Sequence, residues 1–449
     1  MLRLAAPLVG ANLLQMAVFA VDVLFVARLG PEALAASALG VSVFGLLIWS
    51  LSGLVGAASP LIAAELGRRR HAVREVRRTV RMAGWVGVIA ALVAVGLCQL
   101  GGPVLRATGQ AEAVVVRAVP FLTVLSLACV PMVLASLLRT VVSTLGRPGI
   151  GTAITGMAVG VNALGNWIFV FGHAGMPALG LIGSAWSSVV TSSAMLLAYA
   201  LVLRFDRNLH RYRLLGRWWR TEWRRFFEVW KIGLPICATI IAEAGLFNGA
   251  ALLMGRIGEL QLAAHTVALQ LASISFQVPF GLGQAATIRV GLAYGAGDRQ
   301  AIARAGWTAL AMSVGFMALT AAIMVLAPRF FVGLYVDTAN PGNARLVGYA
   351  VQFLMVAAAF QLFDGAQSTC GAILRGLQDT RIPMAIALFG YWIPGLGTAI
   401  WLGLFTPLGG TGVWLGLMAG LVVVSALLLW RWHNRDRLGL LPTRDALAG

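Results

Sequence analysis

Charge is what this chain of 449 residues has least of: Asp, Glu, Lys and Arg make up 11% of it, where soluble domains carry about 25%. Lysine is almost missing, with 33 Arg to one Lys, a bias that hints at a GC-rich genome and identifies no function. Cysteine is also scarce. Cys98, Cys129, Cys237 and Cys370 all lie in apolar stretches without a CxxC pair, and read as buried free thiols. The five His residues, His71, His173, His210, His265 and His433, show no metal-ligand spacing. Of these only His265 falls in an apolar stretch, where it reads as a polar residue near the stretch's outer end. No nucleophile, base and metal occur together, so an enzyme is not expected, and neither is a cofactor.

Apolar sequence is what the chain has in abundance. Hydrophobic residues are 59% of the total and the mean hydropathy is +0.85. A membrane-spanning helix needs about 20 mainly apolar residues, and twelve such stretches can be cut. They run near 5–27, 36–63, 82–102, 118–141, 150–171, 179–203, 232–255, 262–288, 306–328, 346–371, 384–405 and 408–430. The expected fold class is therefore an all-α polytopic membrane protein with twelve transmembrane helices. Met1 to Pro7 leads straight into the first stretch without a small-residue cleavage site, so a cleaved leader is not expected.

The cations set an orientation. With both termini cytoplasmic, 28 of the 34 Lys and Arg fall in inner connections and tails, leaving only Arg28, Arg106, Arg117, Arg256, Arg329 and Arg345 outside. That is a positive-inside pattern. The net charge of +18 then reports topology and contact with anionic lipid headgroups at the cytoplasmic face. Nucleic-acid binding is not expected, since no basic soluble domain exists to carry it.

The chain also repeats itself. A shift of 228 residues lays Pro7 on Pro235, Gln15 on Glu243, Arg28 on Arg256, Gly30 on Gly258 and Leu34-Ala35-Ala36 on Leu262-Ala263-Ala264. Two six-helix lobes follow, 1–203 and 232–449, the second ending in a short cytoplasmic tail. Because six spans return the chain to its starting side, the lobes are expected to be related by a pseudo-two-fold axis along the membrane normal. Transporters built this way bind substrate between their halves. The connection 204–231 carries Trp219, Trp223, Phe226, Phe227 and Trp230 among many Arg residues, and reads as a cytoplasmic interfacial amphipathic helix.

Of the sixteen carboxylates, only Asp22, Glu243 and Asp364 lie deep inside apolar stretches. An acid at the centre of a membrane helix costs about 2.5–3.5 kcal/mol on insertion scales, so it persists where a cavity, a partner or a cation compensates it. Protonation, or a bond to a neighbouring helix, is the plain structural alternative. The repeat argues against mere scaffolding: Glu243 aligns with Gln15, Asp22 with Ala250, and Asp364 falls near Met132. Other polar residues in the spans are candidates to line the same cavities. They are Asn12, Gln15, Asn162 and Asn166 in the first half, and Asn248, Gln270, Gln277, Gln284 and Gln361 in the second. Taken singly, each more often joins two helices than meets a ligand. Asn162 and Asn166 are one turn apart on one face, in a position to share a cavity with Asp22. Phe276, Phe280, Phe360, Tyr391 and Trp392 offer rings to a cationic ligand, although aromatics in a membrane core usually pack.

These residues carry a family resemblance over essentially the whole chain. Pro7 to Ala36 around Asp22, Val161-Asn162-Ala163-Leu164-Gly165-Asn166, Gly233-Leu234-Pro235 to Glu243, Leu262-Ala263-Ala264-His265 to Gly291, Asp364 to Gly376, and Gly412-Val413-Trp414-Leu415-Gly416 resemble the multidrug and toxic compound extrusion (MATE) transporters of the NorM-like branch. The resemblance implies two lobes about a central cleft and export of cationic, amphipathic drugs in exchange for Na+ or H+. It also implies a bacterial inner-membrane location, a monomer, and coupling carboxylates at Asp22, Glu243 and Asp364. Glu243 and Asp364 are the expected Na+ ligands if Na+ couples. Two departures matter. Relatives can carry Tyr where this chain has Phe360, which removes a hydroxyl from the second-lobe site, and a related branch has an acid where this chain has Asn166. A lipid-linked oligosaccharide flippase of the same superfamily is the alternative, but deep cations rather than acids would suit its pyrophosphate.

Overall fold

The computed structural model describes residues 1–442 except 70–71, 108–110, 215 and 217, so His71 and Arg217 lie outside it. Helices dominate. Among the described residues twelve spans can be counted when one bent pair is taken as a single span: Leu2–Ala27, Pro31–Arg68, Val73–Gln99, the pair Glu112–Ser126 and Cys129–Thr144, Pro148–Phe171, Leu181–Phe205, Trp223–Ile257, Glu259–Gly295, Arg299–Leu326, Pro341–Gly376, Arg381–Leu404 and Gly409–His433. They are called spans 1 to 12. Large apolar side chains stand exposed along them, with Leu326 83%, Leu252 73% and Trp401 63% exposed. A surface of that kind belongs in lipid.

Two spans depart from the straight helix expected of an apolar run. Span 4 bends by 48° between its two helices. Pro131 has no N–H to offer the carbonyl of Leu127 four residues back, so the ladder breaks there. Span 11 widens into a π-helical stretch over Tyr391–Gly397 around Pro394, which likewise leaves the carbonyl of Gly390 without its usual donor. Such bulges are frequent at functional sites.

By contacts the chain forms two compact units. One is Gly10–Cys237; the other joins Met1–Val9 to the chain from Ala238 onward. Spans 1 and 7 therefore each belong partly to both, changing unit two residues after Pro7 and Pro235, the prolines that the 228-residue repeat superimposes. Within the second unit the opening residues Leu4, Ala5 and Leu8 pack on Leu282, Ala285 and Ile288 of span 8.

Among the described residues of the connection 204–231, helix covers Arg207–His210 and resumes at Trp223, from where it continues unbroken into span 7 and leaves Trp219 outside it. Polar contacts explain the late start. Trp85 donates its indole N–H to the carbonyl of Trp218 at 2.9 Å, and the Trp218 ring fills the space over Gly84. Glu222 accepts from Arg81 at 2.7 Å and Arg78 at 3.1 Å. Arg225 reaches Glu65 at 2.8 Å, Glu75 at 2.9 Å and Glu228 at 2.8 Å. This network ties the foot of span 7 to spans 2 and 3 of its own unit. Because Arg225 is largely buried among three carboxylates, Arg225→Ala should destabilise the unit by about 2–4 kcal/mol, read as a lower melting temperature of the purified protein in detergent. Unchanged melting would show the network to be ornamental.

Candidate functional site

Two polar clusters stand in the apolar interior, one in each unit. The first is built on Asp22, five residues before the end of span 1. Asn162 and Asn166 of span 5 both donate their side-chain amides to Asp22 Oδ1, at 3.0 and 2.7 Å. Ser188 of span 6 donates to Oδ2 at 3.3 Å. A second layer fixes the amides: Asn166 Nδ2 also bonds the carbonyl of Asn162 at 3.0 Å, and the Ser187 hydroxyl donates to that same carbonyl at 2.9 Å. Spans 5 and 6 meet this closely because Gly165 stands between the two asparagines. A Cβ there would lie 2.6 Å from Ser187 Oγ. Accordingly Gly165→Val should force the two helices apart at a cost of about 1–3 kcal/mol and lower the melting temperature; a variant as stable as the parent would contradict the packing described.

The second cluster lies in the other unit. Glu243 on span 7 and Asp364 on span 10 are joined by one side chain, Gln367, whose Nε2 donates to Glu243 Oε1 and to Asp364 Oδ1, both at 3.2 Å. Its Oε1 in turn accepts the Tyr391 hydroxyl at 2.9 Å. Asp364 and Gln367 share a face because they are three residues apart on one helix. Tyr391 is brought in by the π-helical stretch, against which span 7 lies closely: a Cβ on Gly245 would meet the Trp392 ring at 2.8 Å, and one on Gly249 would meet Leu396 at 3.0 Å. Beside Asp364, Gly365 makes room for Met317 of span 9 and accepts from Ser313 at 3.2 Å. Arg375, farther along span 10, is near enough to Glu243 for their charges to interact.

Of the three acids, Asp22 sits among amide and hydroxyl donors, and Glu243 and Asp364 share the one Gln367 amide. None forms an Arg or Lys ion pair at contact distance among the described residues, and these contain no group of three or more His, Cys, Asp or Glu able to hold a metal ion. The other sequence candidates lie around the clusters rather than in them. Gln15 is half-buried on span 1. Asn248 is exposed and returns its amide to the carbonyl of Ala244 at 2.8 Å, and Gln270 is exposed on span 8. Gln277 is buried and bonds the carbonyl of Ser273, while Phe276 stacks on Phe280 at 5.9 Å. Phe360 is buried between Phe247 and Trp414, at 6.1 and 5.6 Å between ring centres, and Gln361 is buried against Met324. His265 is buried too, its ring 5.4 Å from that of Trp414.

Sequence reading did not single out Gln367, Ser187 or Ser188. A signal for Gln367 existed in its spacing from Asp364. For the serines it was only a hydroxyl-rich run in span 6, Ser184, Ser187, Ser188, Thr191 and Ser192.

Comparison with known proteins gives a family match twice over. The family model described as MatE matches residues 7–168 and again 235–401, so its two copies start at the superimposed prolines. Among curated proteins, the chain is 46% identical over 438 residues to "Probable multidrug resistance protein NorM" of Mesorhizobium japonicum, covering 97% of this chain and 94% of that one. It is 37% identical over 438 residues to "Multidrug resistance protein NorM" of Burkholderia vietnamiensis, covering 96% and 92%. Solved structures with the same fold include the eukaryotic MATE transporter AtDTX14, at a TM-score of 0.86 and 21% identity over 98% of both chains. A MOP superfamily transporter from Pyrococcus furiosus matches with a TM-score of 0.85 and 20% identity, over 100% of this chain and 96% of that one.

Proposed function

The chain belongs to the MatE family, and from that premise we propose that it is a secondary active multidrug efflux antiporter, exporting cationic, amphipathic compounds in exchange for Na+ or H+ by alternating access. The observation that carries the mechanism is that the three deep acids are held by neutral donors, which orient a carboxylate without cancelling its charge. A carboxylate left in that condition attracts a cation, whether drug, Na+ or proton.

Glu243 and Asp364 are the coupling pair in this reading. When outward-open, they take up Na+ or H+ from outside, and loss of their charge releases the cationic substrate. The neutralised site then closes, reopens inward and gives up the ion, which restores the charge for the next substrate. Inward passage of one charge supplies about 2.3 kcal/mol per 100 mV, enough by itself for roughly fortyfold accumulation of a neutral solute. Asp22, with Asn162 and Asn166, serves as a separate ion-responsive group of the first lobe. Gln15, Asn248, Gln270, Phe276, Gln277, Phe360 and Gln361 are the accompanying cavity candidates.

In this reading the protein works in the bacterial inner membrane as a monomer, with both termini and the Arg-rich connections on the cytoplasmic side, as the distribution of Arg supports. Trp219, Trp223 and Phe227, 77%, 64% and 63% exposed, meet the headgroups there. The flippase alternative is weaker, because the deep charges that would meet a pyrophosphate are acidic.

Reconstitution tests the proposal. Proteoliposomes loaded with ethidium should move it against its gradient when a Na+ or a pH gradient is imposed separately, and absence of driven movement under both would refute antiport.

A further inference from the structure

Gln367 is 5% exposed and Tyr391 is fully buried, so whatever the amide does it must do with the partners already present. We propose that Gln367 selects the coupling ion: when Na+ enters between Glu243 and Asp364 the amide turns over, presenting Oε1 to the ion, and the Tyr391 hydroxyl partners it in both orientations. The proposal rests on reading Glu243 and Asp364 as the coupling pair, and adds a third ligand and a reason for preferring Na+.

The argument is one of donors and acceptors. With the site free of cations, the amide NH2 faces two carboxylates and the carbonyl faces a hydroxyl donor. Both ends of the amide are thus partnered. A Na+ ion between the acids would meet the positive end of that amide, whereas a hard cation requires oxygen ligands. Turning the amide replaces repulsion by coordination, and the terminal torsion of a Gln side chain is broad and nearly two-fold, so the turn itself costs little. The NH2 would then point at Tyr391. A phenol hydroxyl can accept as well as donate, so it serves the turned amide as it served the unturned one. A proton asks for none of this. A protonated carboxyl still has an oxygen to accept from the NH2, so the amide keeps both acceptors in place.

The test uses full-length protein in proteoliposomes, comparing wild type, Gln367→Met, Tyr391→Phe and Asp364→Asn for ethidium export driven by Na+ at fixed pH, or by protons without Na+. Wild type should respond to Na+. In Gln367→Met the Na+ concentration for half-maximal export should rise about tenfold, the scale of one lost ion–dipole contact, and by more than the half-maximal proton concentration does. Tyr391→Phe should shift in the same direction by less, and carries the test alone if Gln367→Met does not reconstitute. The proposal is overturned if wild type ignores Na+, if the variants keep the wild-type Na+ requirement, or if both ions' requirements shift equally. Asp364→Asn separates the two levels. If it is driven as well as wild type, the coupling pair itself is misread; if it is dead while Gln367→Met is unchanged toward Na+, only the ion-selecting role falls.

Discussion

Asp364→Asn and Glu243→Gln should each abolish export of a cationic dye against its gradient, bringing energised cells to the dye content of cells without the transporter. Both substitutions keep the shape and hydrogen-bonding capacity of the side chain and remove only the charge. Gln367 can still donate to the amide oxygen of an Asn or Gln, so the cluster should survive as structure while losing its attraction for a cation. At a low-dielectric site that attraction is worth several kcal/mol, which predicts a loss of at least about a hundredfold in driven export. Dye efflux from cells with matched membrane levels of each variant measures this. Retention of more than a third of wild-type efflux by both would remove the pair from the mechanism.

Asp22→Asn should be nearly as damaging for a different reason. Asp22 collects three donors, from Asn162, Asn166 and Ser188, at 3.0, 2.7 and 3.3 Å. An Asn in its place keeps one oxygen for the two amides and turns its NH2 to Ser188, whose hydroxyl can accept it. Two effects follow: the first unit loses its one carboxylate deep inside an apolar stretch, and the two amides bond a neutral oxygen in place of a charged one, weaker by about 1 kcal/mol each. Driven export should fall by roughly tenfold or more, and the melting temperature should drop as well. Glu243→Gln, by contrast, should melt close to wild type. Equal melting of Asp22→Asn and wild type would mean that the donors find other partners, and that the first cluster is looser than its geometry indicates.

How much of this was legible beforehand can be judged from particular residues. The twelve spans could be cut from hydropathy because lipid demands long apolar runs whatever else the sequence does. Twofold repetition was readable from Pro7 and Pro235, and the structure adds that spans 1 and 7 each change unit two residues beyond those prolines. The bend of span 4 was not read, although Pro131 announces it, because hydropathy runs on through the missing hydrogen bond. Where helix starts in the linker was not legible, for the opposite reason. Trp219 to Trp230 has helical spacing, but the ion network around Glu222 and Arg225 decides where helix begins, and its partners Glu65, Glu75, Arg78 and Arg81 lie about 140 to 160 positions earlier in sequence.

In the sites the contrast is similar. Asp22, Asn162 and Asn166 were matched in advance because a lone acid calls for donors and two asparagines one turn apart supply them. Gln367 was passed over among many polar residues, since only the fold reveals that one amide lies between acids from two different spans. Gln277 and Asn248 show why polarity alone misleads: both spend their amides on their own helix.

The most direct test of the central claim, that ion and drug compete for the same carboxylates, is equilibrium binding of a fluorescent cation to the purified protein across Na+ concentration and pH. The account predicts that the dye's Kd rises as either coupling ion is added, and that in Asp364→Asn the dye binds weakly with little dependence on the ion. Dye affinity that ignores both ions in the wild type, or that responds as strongly in Asp364→Asn, would contradict it.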